Sequence, residues 1–197
     1  MQKTFLMSLL LLLVAQTGLF AQSKTLSLAG VPKNMDDLLA LRNQQANSPE
    51  GGGLVFVAAM LMYAQDEALG MQAFTLALDQ SRLTEGTIYK DFAPLAGVQQ
   101  DIKNYFGKHK DHLANTYILG TKTQDNYKLP AAPYKMDFSR NKYSTQSNGD
   151  VKVFVKCSGA ASPRPISLRK NDKGIWKVVE FSSLFVGVAK PKPADKL

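Results

Sequence analysis

Apolar positions along the chain change their period once, near residue 133, and that change divides the sequence into a helical part and a stranded part. Asn34-Met35-Asp36-Asp37 has the form of a helix start, with Asn34 as cap and two acids in the first turn, and Leu38, Leu39 and Leu41 follow. This predicts a helix to about Gln45. Ser48-Pro49-Glu50 is a second start, with Ser as cap and Pro at the first helical position. Residues Leu54 to Ala64 contain no charged member, which predicts a fully buried helix. Asp66 and Glu67 bring it to the surface. Gly70 either ends it or marks close packing, and Met71 to Leu78 continue at helical spacing. Leu95, Val98, Ile102 and Phe106 form one amphipathic stripe ending near Gly107. The segment Leu113–Leu119 fits helix or strand.

From Pro133 the period becomes two. Tyr134, Met136 and Phe138 alternate with Lys135 and Asp137. Val151, Val153, Val155 and Cys157 alternate with Lys152, Phe154 and Lys156. Ile166 and Leu168 mark a further strand. Asn171-Asp172-Lys173-Gly174 is a tight turn before a strand over Ile175–Phe181, in which Trp176 is a packing anchor, and Leu184–Val188 offers a last strand. The pattern predicts an α+β fold: three to four helices forming a layer over about 34–120, packed on an antiparallel sheet of four to five strands over about 133–188. The expected folded domain is 22–189, with a disordered Lys/Pro tail over 190–197.

The first 21 residues read differently. A basic start at Lys3, an apolar run from Phe5 to Val14 and a small-residue stretch ending at Ala21 form the pattern of a secretory signal peptide. The run is short of the roughly 20 apolar residues of a spanning helix, so no transmembrane segment is expected after cleavage. An exported protein, periplasmic or secreted, follows. Cys157 is the only cysteine. It cannot form an internal disulfide, and its alternation predicts a small apolar core residue.

Charge is uneven. Residues 22–132 carry 10 basic and 11 acidic side chains, whereas 133–197 carry 13 and 5. In an exported protein this excess suggests an anionic envelope component or an acidic protein as partner, and not nucleic acid; equally, lysines on a sheet surface keep it soluble. Ser162-Pro163-Arg164-Pro165 presents Arg164 rigidly before a strand. With Arg169, Lys152 and Lys156 around an embedded Phe154, it forms the candidate binding surface.

Other chemistry is sparse. Gly51-Gly52-Gly53 lacks the Lys-Ser/Thr of a phosphate loop and reads as a flexible or closely packed turn. His109, Asp111 and His112 sit among lysines and read as a solvated loop rather than a metal site. No nucleophile elbow is present, and the acid pairs Asp36-Asp37 and Asp66-Glu67 are better explained by helix starts and solvated faces than by acid–base work, so the chain reads as a binder rather than an enzyme, with no cofactor and no metal.

Two resemblances accompany these patterns. Leu129-Pro130-Ala131-Ala132-Pro133-Tyr134, Val151 through Ala160, Ser162-Pro163-Arg164-Pro165-Ile166, and Ile175-Trp176-Lys177 through Leu184 together resemble an uncharacterised bacterial family of exported or envelope-associated domains of unknown function, over about Leu26 to Val188. Ile-Ser-Leu-Arg-Lys, a turn, and Gly-Ile-Trp-Lys-Val-Val-Glu are similar to the end of the NTF2-like superfamily. The second likeness implies a curved sheet around a pocket, with Tyr134 and Asp137 as polar lining. The leading expectation is a non-catalytic binding module at the envelope using the basic sheet; the alternative is a small-ligand or enzymatic pocket of NTF2-like type.

Overall fold

The computed structural model describes residues 22–109 and 112–192; the signal-peptide segment, Asp111 and the end of the tail lie outside the described residues. The fold is α+β. A five-stranded antiparallel sheet has the order β1 (Gln22–Leu28), β4 (Tyr134–Arg140), β5 (Val151–Val155), β6 (Arg164–Lys170), β7 (Trp176–Glu180). Helices α1 (Met35–Gln45), α2 (Pro49–Gln65), α3 (Glu67–Ala77) and α4 (Ala96–His109) lie between β1 and β4 in the chain, together with a small hairpin of β2 (Leu83–Tyr89) and β3 (Phe92–Pro94). No helix among the described residues is long and apolar enough to cross a membrane.

The helix starts follow their caps. Asn34 Oδ1 accepts from Asp37 N at 2.9 Å, and Ser48 Oγ accepts from Gly51 N at 3.2 Å, so side chains satisfy amides that the first turn leaves without helical partners. The apolar run lies in α2, where every residue from Pro49 to Tyr63 is buried. Asp66 is both the end cap of α2 and the start cap of α3, its side chain accepting from Leu69 N at 2.9 Å. Its extended backbone turns the chain sharply, so one apolar stretch becomes two helices.

The glycines make this packing possible. Gly51-Gly52-Gly53 is not a turn but lies within the first turn and a half of α2. A Cβ on Gly52 would sit 2.6 Å from Leu168 Cδ2 and 2.7 Å from the Trp176 carbonyl oxygen. On Gly70 it would lie 2.1 Å from Tyr63 Cα, so this residue marks close packing between α2 and α3.

The sheet's inner face carries Leu26, Leu28, Met136, Phe138, Val153, Val155, Ile166, Leu168 and Val178 against α2. Met60, Met62, Phe56 and Phe74 are buried in the same core. Side chains from the sheet and from α2 and α3 thus pack against one another in one core. Phe56, Phe74, Phe106 and Phe185 contact one another as tilted, stacked or edge-on rings with centroids 5.2–6.4 Å apart.

Several details differ from the sequence reading. The edge strand β1 precedes all the helices, and Thr25 Oγ1 donates to Asp137 Oδ1 at 2.6 Å across 112 residues of sequence. Leu95 is exposed and outside α4, whereas Val98, Ile102 and Phe106 are buried. Residues Ala114–Tyr117 form a buried 3-10 turn. His112 is buried and stacks on Tyr127 at 5.5 Å, so it is not on a solvated loop. The expected last strand is instead a short helix, α5 (Ser182–Phe185), followed by an extended strap. Tyr117 and Tyr127 hydroxyls donate to the Leu184 and Ala189 carbonyls at 2.6 and 2.9 Å, and Lys192 N donates to Thr123 O at 3.1 Å. These bonds hold polar backbone that an isolated apolar strand would leave without partners.

Candidate functional site

The outer edge of β7 is crossed by other chain segments rather than left bare. Trp176 N donates to Ala46 O at 2.8 Å just after α1, and Asp79 N donates to Val178 O at 2.8 Å just after α3. Covering an edge in this way removes a template for unwanted strand pairing. It also brings the ends of α1 and α3, the tip of the β2–β3 hairpin and the β6–β7 turn to one place. Between them lies an open cleft of about 540 Å³, within the size range of small-ligand sites.

Its floor is apolar: Leu39, Leu76, Leu78, Leu83, Tyr89 and Phe92. Four of its lining residues are cations: Arg42 from α1, Lys90 from the hairpin tip, Lys173 from the β6–β7 turn and Lys177 from β7. Asp79 is the one carboxylate among the described lining residues. It accepts from Ser81 N and Oγ at 3.1 and 2.7 Å and lies 3.7 Å from Arg169 Nη1, and its charge also acts on Lys177 within the cleft.

Local sequence sets each cation. Asn171 Oδ1 accepts from Lys173 N and Ile175 N at 3.0 and 2.9 Å, and Gly174 supplies φ +77°, closing the turn that holds Lys173. Lys90 and Asp91 have φ of 49° and 64°, the left-handed pair of a two-residue hairpin turn without the usual glycine. Lys90 Nζ stands 5.5 Å from the centre of the Tyr89 ring. Arg42 donates through Nε and Nη2 to Asn43 Oδ1 at 3.2 and 2.8 Å, and burial lowers its pKa.

Lys177 is the most perturbed of the four. Its Nζ donates to the Leu76 carbonyl in the last turn of α3, one of the helix-end carbonyls with no helical donor. Burial, and then the nearby Arg42 charge, lower its pKa from 10.5 to about 8, against an opposing pull from Asp79.

The residues expected from sequence are dispersed. Arg164 donates through Nε to Ser183 O at 2.8 Å and through Nη2 to Val186 O, clamping the C-terminal strap. Arg169 grips Asp150. Phe154 is half-buried on the outer face between Ser139 and Pro165, and Lys152 is half-buried opposite Ser167. The structure does bring Lys156 and Asp137 together, Nζ to Oδ2 at 4.0 Å, in a shallow polar groove of about 350 Å³ with Ser23, Thr25 and Ser139. Tyr134 is apart from it, at the start of β4 opposite Leu28 and partly buried against the core.

Arg42, Tyr89, Lys90, Lys173 and Lys177 escaped the sequence reading. The one usable signal was Lys177, a lysine inside the otherwise apolar run Ile175-Trp176-Lys177-Val178-Val179. No three acidic, histidine or cysteine side chains among the described residues are grouped as metal ligands. No curated protein and no solved structure matches the chain. The model of a domain of unknown function, DUF6935, matches residues 30–192, and the chain belongs to that family.

Proposed function

We propose that the protein is an exported, non-catalytic binding module of the bacterial envelope whose recognition site is the cationic cleft beside β7, rather than the outer sheet face. The observation that carries this reading is the convergence of Arg42, Lys90, Lys173 and Lys177 over an apolar floor, four cations against the one lining carboxylate, Asp79. Arg164, at the start of β6 on the side of its inner residues, and Arg169, on the outer face, are already committed to internal partners. The ligand that fits is a small anion with an apolar body: the body covers the leucines and Phe92, and the anion meets guanidinium and ammonium donors.

Export is supported by the signal pattern, a basic start, an apolar run and small residues up to Ala21. The mass of the protein recovered from its native cells tests this; a full-length N-terminus overturns it. Binding is tested with para-toluate by ligand-observed NMR. Toluate should bind, the neutral para-toluamide should bind at least about tenfold more weakly, and Arg42→Ala should weaken toluate by about fivefold or more. Added salt should weaken toluate selectively. Equal binding of acid and amide would overturn the reading.

A further inference from the structure

We propose that Lys177 is a site of reversible imine formation with a small aldehyde that also carries an anionic group, the anion being held by the neighbouring cations of the cleft. The proposal rests on the anion-binding reading of this cleft and adds the chemical class of the ligand.

The geometry supplies what the reaction needs. A condensing lysine requires a neutral amine, room for the aldehyde beside it and a partner for the cation that forms. Lysines become nucleophilic when desolvated or placed beside another cation, and Lys177 has both conditions, burial and Arg42. With a pKa of about 8, about a quarter of the amine is neutral at pH 7.5, against about one part in a thousand for an ordinary lysine. Lys177 lines the cleft, together with Leu76, Leu78 and Tyr89.

The step balances without an oxidant or reductant. Neutral Nζ adds to the aldehyde carbon, the C–N bond forms as the carbonyl π bond breaks, and the oxygen takes the proton that the attacking nitrogen gives up, which makes the neutral carbinolamine. A proton from solvent on the hydroxyl lets it leave as water, so amine, aldehyde and one proton give the protonated imine and water. The iminium keeps one N–H, which donates to the Leu76 carbonyl as the lysine does now. That carbonyl belongs to the last turn of the eleven-residue helix α3, whose end favours positive charge. The contact that today caps the helix thus also stabilises the product.

The experiment uses the intact protein, para-carboxybenzaldehyde and cyanoborohydride, which reduces imines to stable amines, with peptide mass mapping of the trapped lysines. Labelling should be at least about tenfold faster at Lys177 than at Lys152, Lys156 or Lys173. It should be slowed by para-toluate and be slower with plain benzaldehyde. In Arg42→Ala the advantage of the carboxylated aldehyde should shrink. Labelling spread over the lysines according to their exposure overturns the proposal. Binding of para-toluate to the unlabelled protein without an adduct at Lys177 overturns imine formation and leaves the anion site standing. Failure of para-toluate to bind removes the anion site itself, and with it this proposal.

Discussion

Arg169 holds Asp150 in a two-point grip: Nε to Oδ1 at 2.7 Å and Nη2 to Oδ2 at 2.8 Å. Asp150 is buried just before β5, whereas the Arg169 side chain is 42% exposed on β6. Paired, charge-assisted bonds of this kind raise the Arg169 pKa, chiefly through the hydrogen bond to Asp150. The same guanidinium reaches Asp79 with Nη1 at 3.7 Å, so it links the sheet to the segment that borders the cleft. Arg169→Ala leaves a buried carboxylate without its main partner. Urea unfolding should show a loss of about 1–3 kcal/mol, with Arg169's exposure holding the figure below that of a fully buried pair. Arg169→Lys should recover only part of it, because an ammonium cannot form the fork.

Gly52 and Gly97 should respond oppositely to alanine. At Gly52 the added methyl would meet Leu168 and the Trp176 carbonyl below 3.0 Å, and the carbonyl is backbone that cannot swing aside. Gly52→Ala should cost about 3 kcal/mol by thermal or urea unfolding, through displacement of α2 from the sheet. At Gly97, in the first turn of α4, a Cβ meets nothing within 4 Å. Gly97→Ala should stabilise by a few tenths to about 1 kcal/mol. A Gly52→Ala protein as stable as the parent would contradict the close contact between α2 and the sheet.

These glycines also show which parts of the fold were legible in the sequence. Caps such as Asn34 and Ser48, the uncharged run of α2 and the alternation of β5 are local signals, so they can be read one window at a time. β1 is short and polar at its start, and only its partner β4, about 110 residues away, makes it a strand. The apolar residues Leu184 and Phe185 suit a strand or a buried short helix; hydrogen bonds from Tyr117 and Arg164 to that segment accompany the helix. The basic excess after residue 133 was visible as a sum. How it is used was not: Arg164, Arg169 and Lys177 turn to internal carbonyls and carboxylates, and the cleft draws its cations from three regions far apart in the chain, at Arg42, at Lys90 and at Lys173 with Lys177.

The C-terminal strap gives a third expectation. Arg164 donates to the Ser183 and Val186 carbonyls, and Ala189 N donates to Gly159 O at 2.8 Å. Phe181, Leu184 and Phe185 are buried, so the start of the strap is held by packing, and its later part by hydrogen bonds. Arg164→Ala should therefore leave the core intact while loosening residues 186–192. Hydrogen exchange of the Ala189 and Lys192 amides should accelerate about tenfold, equivalent to about 1.4 kcal/mol of local stability. Tyr117→Phe, which strands the buried Leu184 carbonyl, should instead lower global stability by about 1–2 kcal/mol. Unaltered exchange in Arg164→Ala would assign the strap to packing alone.

Lys177 makes stability depend on pH in a direction opposite to that of a salt-bridged lysine. Its pKa falls from 10.5 to about 8 on folding, because burial and Arg42 disfavour the ammonium. Between those values the unfolded chain carries a proton that the folded protein lacks. Raising the pH removes that proton from the unfolded state and so favours folding. Below pH 8 both states are protonated and the full penalty of a buried ammonium applies; above 10.5 it has vanished. For a shift of this size the change is on the order of 3 kcal/mol. Tyrosines titrate in the same interval, so the informative quantity is the difference between the parent and Lys177→Met. The parent should gain stability relative to the variant by about 2–3 kcal/mol between pH 7 and pH 10, read from urea midpoints at constant slope. Parallel profiles would mean that Lys177 keeps an ordinary pKa in the folded protein, and the amine in the cleft would then lack its enhanced reactivity.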